Sequence, residues 1–304
     1  MTASIPAAAT LALRTYLTCE FATIAKDGTP IAWPVAALFQ LETATVLVST
    51  TIGFPQKAFN VRRDPRVALL YSDPTGSGGE TTDHVLLQGT ALCTDDIETG
   101  FTKRATYWQR LLAVQPSSAS YSANAVMRRA VDFYFMRLYI TVTPTSVNVR
   151  PALESHPRTG KTTSAGTTVL NLTVAAFTRF DSAVLAGFGA DGQIALVRTK
   201  PDASEIGLRI VTDADLTEGR ASILCHRHDA KLATQESWVA TGMISRETGG
   251  WLFTPERLIA GSRPGLAAQL SALRGIRRTA RDYLAKRGLE RPAIAWDELK
   301  RLKP

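Results

Sequence analysis

Short apolar runs separated by turn residues dominate the first half of the chain. Residues 21–24 and 31–39 flank Lys26-Asp27-Gly28-Thr29. An Asp-Gly pair between apolar runs marks a hairpin, because both turn positions tolerate positive φ. A third strand, 45–50, follows the polar Glu42-Thr43, completing an antiparallel meander. Residues 55–63 read as a helix of about two turns, with Pro55 suited to its first position and Asp64-Pro65 ending it. Strand signals resume at 66–71 and 84–93, on either side of the glycine-rich loop 73–79. Ile97, Phe101, Ala105, Trp108 and Leu112 recur every three or four residues and predict a helix over 95–114 with one buried face. The apolar run 133–142 is the closing strand, ended by Thr143-Pro144.

The same order of signals returns in shortened form after residue 168. Phe188-Gly189-Ala190-Asp191-Gly192-Gln193 answers Ile24-Ala25-Lys26-Asp27-Gly28-Thr29. Residues 208–212 answer 46–50, 220–224 answer 66–70, and 238–242 answer 85–89; Phe253-Thr254-Pro255 answers Val142-Thr143-Pro144. Five anchors in one order predict a pseudo-repeat. The copies differ between their third and fourth strands, where the first has residues 52–65 and the second only 213–219, too few for the helix. Between the copies, 151–168 is rich in Pro, Gly, Ser, Thr and Lys and reads as a linker. The expected organisation is a domain over 1–150, the linker, a second and degenerate domain over 169–261, and a tail over 262–304.

Composition adds constraints. At 304 residues the chain is long enough for two cores, and its 45% hydrophobic and 20% charged fractions are those of a soluble globular protein. Residues 1–17 lack the basic start and continuous apolar run of a secretory signal, and no membrane segment stands out, so a cytoplasmic protein is expected. Cys19, Cys93 and Cys225 suit reduced, buried thiols. The net charge of +8 is uneven, since residues 262–304 hold eleven basic and four acidic residues and so carry +7 of it. Within the tail, Leu266, Leu270, Leu273, Ile276, Ala280, Tyr283 and Leu284 form a helical stripe ending near Gly288 and Pro292, with Arg274, Arg277, Arg278 and Arg281 away from it. Such a helix either packs by its apolar face with a solvated basic face or engages nucleic acid or another anionic partner.

The stretch 49–69, from Ser49-Thr50-Thr51-Ile52-Gly53-Phe54-Pro55-Gln56-Lys57 to Arg62-Arg63-Asp64-Pro65-Arg66-Val67, carries the candidate chemistry. Unpaired N–H groups and the dipole at a helix N-terminus favour a phosphate, and Lys57 lies in that first turn. Thr50 and Thr51 bring hydroxyl donors at the end of the incoming strand, and Gly53 permits close backbone approach. Arg62 and Arg63 either reach a phosphate or, the preferred reading, cap the helix C-terminus.

With Gly28-Thr29-Pro30-Ile31-Ala32-Trp33-Pro34-Val35 and Gln88-Gly89-Thr90-Ala91, this stretch resembles the pyridoxamine 5'-phosphate oxidase-like, FMN-binding split β-barrel superfamily over about 130 residues. The resemblance implies a mainly β (α+β) chain of two tandem split β-barrels with peripheral helices and a C-terminal helical tail. It implies an FMN site formed by Pro34, Val35, Ser49, Thr50, Thr51, Lys57 and Gln88. There Pro34 and Val35 offer backbone groups to the isoalloxazine edge and Gln88 bonds the cofactor, unless Gln88 is an ordinary solvent-facing strand residue. A deazaflavin coenzyme is the alternative, and haem a less favoured one. The implied activity is a flavin-dependent oxidoreductase acting on a small molecule, with reduced nicotinamide as a candidate donor; no catalytic residue stands out. A non-enzymatic flavin or haem binder whose tail engages nucleic acid is the other class. Cofactors in this superfamily sit between paired barrels, so either the two barrels of one chain pair or, the preferred arrangement, two first barrels pair across a homodimer. Gly160-Lys161-Thr162 lacks the glycine spacing of a phosphate loop, with Ser155 where the first glycine is needed, and reads as linker. Cys225-His226-Arg227-His228 has no second ligand pair at metal-site spacing, so no metal is assigned. His84 and His156 read as surface histidines.

Overall fold

A computed structural model describes residues 3–115, 117–153, 168–260 and 266–302, excluding the side chains of residues 117, 260 and 266–270. Most of the linker, with Gly160-Lys161-Thr162 and His156, lies outside the described residues, as do the side chains of Leu266 and Leu270. The first unit begins with helix α1 (Ala7–Thr15) and contains strands β1 (Cys19–Ile24), β2 (Pro30–Val35), β3 (Ala37–Gln40) and β4 (Thr45–Thr51). Helix α2 (Gln56–Arg63), β5 (Arg66–Tyr71), β6 (His84–Cys93), helices α3 (Ala105–Val114), α4 (Ser117–Ser120) and α5 (Ala125–Val131), and β7 (Arg137–Arg150) complete it. The second unit holds α6 (Val169–Phe177), β8 (Ala183–Phe188), β9 (Ile194–Thr199), β10 (Asp202–Ala203), β11 (Leu208–Ile210), β12 (Gly219–His228), β13 (Gln235–Glu247) and β14 (Gly250–Ala260). The tail forms α7 (Leu266–Ala285) and α8 (Trp296–Leu302).

Each unit is a seven-stranded antiparallel sheet curled into a split barrel. The first runs β2-β1-β5-β6-β7-β4-β3 and the second, read from β9, runs β9-β8-β12-β13-β14-β11-β10. Each strand of the first sheet therefore has its counterpart seven places later, and the predicted repeat is structural. Local details recur too. Asp27 accepts from the Thr29 N–H at 3.1 Å, and Asp191 accepts from the Gln193 N–H at 2.9 Å. The β6–β7 ladder shifts register at Gln88/Gly89 and the β13–β14 ladder at Thr241/Gly242. A Cβ at Gly89 would lie 2.2 Å from the Thr143 carbonyl oxygen, and one at Gly242 would lie 2.0 Å from that of Thr254. Only glycine admits these close crossings.

Three sequence expectations need correction. The run 31–39 is not one strand of a meander: it breaks at Ala36 into β2, which pairs with β1, and β3, which pairs with β4 at the opposite edge of the sheet. The closing strand does not end at Thr143-Pro144, because Pro144 faces Gly89 at the bulge, where the ladder is already interrupted, and β7 continues to Arg150. The helix predicted over 95–114 starts at Ala105, after a single 3-10 turn, Thr102–Arg104. Upstream, Glu98 and Arg137 exchange backbone N–H···O bonds of 2.9 and 3.0 Å. That bridge holds Ile97 and Phe101 in non-helical chain, although their spacing suits a helix.

The barrels pack face to face. Ala22, Ile24, Ala32, Ala68 and Leu70 of the first meet Val184, Ala186, Leu196, Leu224 and Val239 of the second in one buried cluster. Its small residues let the sheets approach closely. Around this apolar patch the polar contacts are reciprocal. Gln88 Nε2 donates to the Ile194 carbonyl at the start of β9, and Ser222 Oγ to the Pro30 carbonyl at the start of β2, at 2.9 and 2.7 Å. Arg66 Nη1 donates to the Gly192 carbonyl at 2.8 Å, while Arg220, its counterpart, lies 3.7 Å from the Asp27 carboxylate. The pairing has the self-complementary form of a two-fold interface, realised within one chain. The face β2-β1-β5 is thus covered by the chain's own second barrel, the arrangement that the sequence left open beside the homodimer.

The tail is part of the first barrel's packing. Ala280, Tyr283 and Leu284 are buried in its core, and Tyr283 stacks on Phe59 of α2 at 5.7 Å between ring centroids. From α8, Leu299 is buried, and the Glu298 carboxylate accepts from the Phe101 and Thr102 N–H groups at 2.6 and 2.9 Å. Arg274, Arg277, Arg278 and Arg281 occupy the exposed side of α7.

Candidate functional site

Strand β4 delivers the chain into Ile52-Gly53-Phe54-Pro55, and α2 starts immediately after it. The first helical bond runs from the Phe59 N–H to the Pro55 carbonyl at 3.0 Å, which leaves the preceding N–H groups without a helical acceptor. No side chain caps this end and no acidic residue lies in its first turn. Lys57 is the second residue of the helix, with its Nζ 5.9 Å from the centre of the Trp33 ring on β2. Burial pushes the Lys57 ammonium down to about 8. Among the described residues no acidic group lies within ion-pair distance of it, so its half-buried charge has no acidic counterpart there.

The two threonines face opposite ways, as neighbours on a strand must. Thr50 lies beside Leu138, and its hydroxyl donates to the Phe54 carbonyl at 2.6 Å. Thr51 accepts from the Gly53 N–H at 3.1 Å. Both hydroxyls therefore brace the turn, and Thr51 Oγ1 keeps its own proton for an acceptor. Gly53 also makes room on its other side: a Cβ there would come within 2.5 Å of Ile276 Cγ2 and 3.0 Å of Phe133 Cδ2. The glycine admits helix α7.

The remaining expected residues are divided. Pro34 and Val35 end the edge strand β2, where proline removes no ladder donor, and both are half-buried next to Trp33. Ser49 points away from Thr50; its hydroxyl meets Tyr107 Oη at 2.8 Å and Arg137 Nη1 at 3.3 Å. Gln88 lies at the barrel interface, with its amide oxygen accepting from Ser146 at 2.8 Å and its nitrogen donating to Ile194. Arg62 donates to the carbonyls of Cys93 and Thr94, and Arg63 to that of Ile24 at 2.6 Å. They stitch α2 to β6 and β1 and do not bond the last carbonyls of their own helix.

Two groups escaped the sequence reading. Arg137, the first residue of β7, is a buried arginine beside Ser49. The other is a polar cluster between the barrels: the buried Glu20 carboxylate binds Arg198 Nη2 at 2.7 Å, His226 Nε2 at 2.6 Å and Ser72 Oγ at 2.9 Å. Burial opposes ionisation of Glu20, but Arg198 and the His226 hydrogen bond outweigh it and hold the carboxyl at about 2. His228 completes the seam, with its Nε2 3.0 Å from Thr18 Oγ1 and 3.4 Å from Asp73. His84 is half-buried, and desolvation pushes its imidazole down to about 4.

No family model matches the chain, and no curated protein matches it. Among solved structures, it is similar to a Clostridium acetobutylicum protein described as related to general stress protein 26, of the pyridoxinephosphate oxidase family. Identity is 12%, coverage 45% of this chain and 82% of the other, and the TM-score 0.30. An F420 reductase aligns at 19% identity over 48% of this chain and 98% of its own, with a TM-score of 0.30. A FAD-binding protein from Mesorhizobium loti aligns at 16% identity over 49% and 95%, with a TM-score of 0.33. These are likenesses over about half the chain, and the functional reading rests on the residues themselves. The chain is a tandem of two split barrels, and its structural neighbours include a pyridoxinephosphate oxidase-family protein, an F420 reductase and a FAD-binding protein.

Proposed function

We propose that the first barrel binds a phosphate-bearing flavin-type cofactor, FMN in the first instance, with its phosphate at the N-terminus of α2. One observation carries the reading: Lys57 is a half-buried ammonium with no acidic partner among the described residues, in the first turn of an uncapped helix. A dianion would supply the missing charge and accept from the free N–H groups and the Thr51 hydroxyl. Trp33, Pro34 and Val35 would border the ring. The flavin would provide the electron-transfer chemistry, and the chain would orient it and exclude water. An oxidoreductase acting on a small molecule, with reduced nicotinamide as donor, is the activity this cofactor supports. Residues 211–218, between β11 and β12, contain no helix, so one site per chain is proposed.

Absorbance and mass of the small molecule released from purified protein test the cofactor and separate FMN from a deazaflavin. Unchanged FMN affinity in Lys57→Ala would refute the phosphate assignment.

A further inference from the structure

Arg137 faces Thr51 across the β4–β7 ladder, and its side chain has no role in the proposal above. Its side chain is 6% exposed. The guanidinium lies 4.1 Å from the centre of the Tyr134 ring and 5.2 Å from that of Trp108, so aromatic rings fix its orientation. Nη1 points to Ser49 Oγ at 3.3 Å, while Nε and Nη2 have no hydrogen-bond partner among the described residues. Those two nitrogens form one edge of the guanidinium, the fork that takes two oxygens of a carboxylate or phosphate side by side.

The local charge is unbalanced in the same direction. Glu98, whose backbone pairs with Arg137, gives its carboxylate to Arg104 at 3.0 Å and faces Lys103 at 3.8 Å. Asp132 is taken by Arg291 at 2.5 Å. Arg104 itself stacks on Tyr139 at 4.8 Å. A buried guanidinium with an idle fork is costly unless something accepts from it. Nearby hydroxyls extend the polar wall: Tyr107 Oη bonds Ser49, and Tyr139 Oη accepts from Trp108 Nε1 at 2.9 Å.

We infer that Arg137, with Ser49 and Tyr107, forms a second binding site on the first barrel, taking the oxyanion of a small ligand, carboxylate or phosphate, on the Nε–Nη2 edge. The site stands whether or not Lys57 holds a cofactor phosphate.

The test uses the full chain and compares its thermal midpoint in sodium acetate, sodium phosphate and sodium chloride at matched ionic strength, with tryptophan fluorescence following unfolding. A ligand bound to the native state alone raises the midpoint with its concentration. Wild type should respond saturably to acetate or phosphate beyond chloride, and the anion acting at the lower concentration names the class. Arg137→Met should abolish the acetate response and, in the Lys57→Ala background, the phosphate response. Arg137→Lys keeps the charge but loses the fork, and should raise the half-saturating concentration at least about tenfold; it also carries the test if the methionine variant does not fold. Lys57→Ala should respond to acetate like wild type and keep a saturable phosphate response. A wild type that answers all three salts alike, an Arg137→Lys variant indistinguishable from wild type, or a response lost in Lys57→Ala would each overturn the inference.

Discussion

Titrating FMN into the protein across neutral and alkaline pH tests the charge of Lys57 directly. With its ammonium held at about 8, Lys57 is about nine-tenths protonated at about pH 7 and about one-tenth at about pH 9. The second ionisation of a phosphate monoester lies near 6, so the ligand remains a dianion throughout. If the dianion binds the protonated lysine, apparent FMN affinity should fall about tenfold over that interval. A charge-assisted hydrogen bond contributes about 1.5–3 kcal/mol, so Lys57→Ala should weaken FMN at about pH 7 by about 10- to 150-fold and flatten the pH profile. Lys57→Arg should flatten the profile as well, since a guanidinium does not titrate there. Riboflavin, which has no phosphate, should bind with no dependence on pH or residue 57. Quenching of flavin fluorescence reads all of these affinities. Equal affinity for FMN and riboflavin, both indifferent to Lys57→Ala, would refute the reasoning.

Without ligand the same lysine works against stability. Its folded value lies below its unfolded value of 10.5, so its cost is fully present below about pH 8 and is relieved as pH rises towards 10.5. Lys57→Met should therefore stabilise the apoprotein in urea unfolding at neutral pH, by less than about 3 kcal/mol because the side chain is partly exposed. Glu20 has the opposite sign: a carboxyl lowered from 4.5 to about 2 contributes stability that is present above about pH 4.5 and lost as pH falls towards 2. Glu20→Gln, which leaves Arg198 short of its partner, should cost about 3–5 kcal/mol in urea and abolish that acid dependence. Gly53→Ala should cost about 1–3 kcal/mol by driving a methyl into Ile276, and Ile276→Ala in the same chain should recover part of the lost thermal midpoint. Removing residues after Gly261 should lower the midpoint of the first barrel, because Ala280, Tyr283 and Leu284 leave its core.

What could be read from the sequence was set by near neighbours. The Asp27-Gly28 turn, the helix between Pro55 and Asp64, and the five repeated anchors depend on residues a few positions apart, and all of them stand. The purposes of single side chains were hidden where the partner is remote. The bond from Gln88 to the Ile194 carbonyl could not be read, because Ile194 lies 106 positions away. Glu20 and His226 are 206 positions apart and gave no local sign of each other. Gly53 was read for what it permits its own backbone, whereas its missing Cβ makes room for Ile276 on a helix that the sequence treated as a separate tail.

The repeat explains both the pairing and its asymmetry. Arg66 and Gln88 of the first copy reach the first hairpin of the second, at Gly192 and Ile194, while Arg220 and Ser222 reach the first hairpin of the first, at Asp27 and Pro30. Such exchange is what two identical barrels would make across a two-fold axis. In a homodimer, symmetry would duplicate any site built at this seam. Here the copies are free to differ. Residues 52–65 give the first copy α2 and Lys57, whereas 211–218 give the second only a loop, with Leu216 buried in its core. Grafting 52–65 in place of 213–219 should then restore a second phosphate-binding turn, and FMN titration of that chimera should give two sites per chain. A stoichiometry of one in a folded chimera would show that the turn alone is insufficient and that Trp33, Pro34 and Val35 are required beside it.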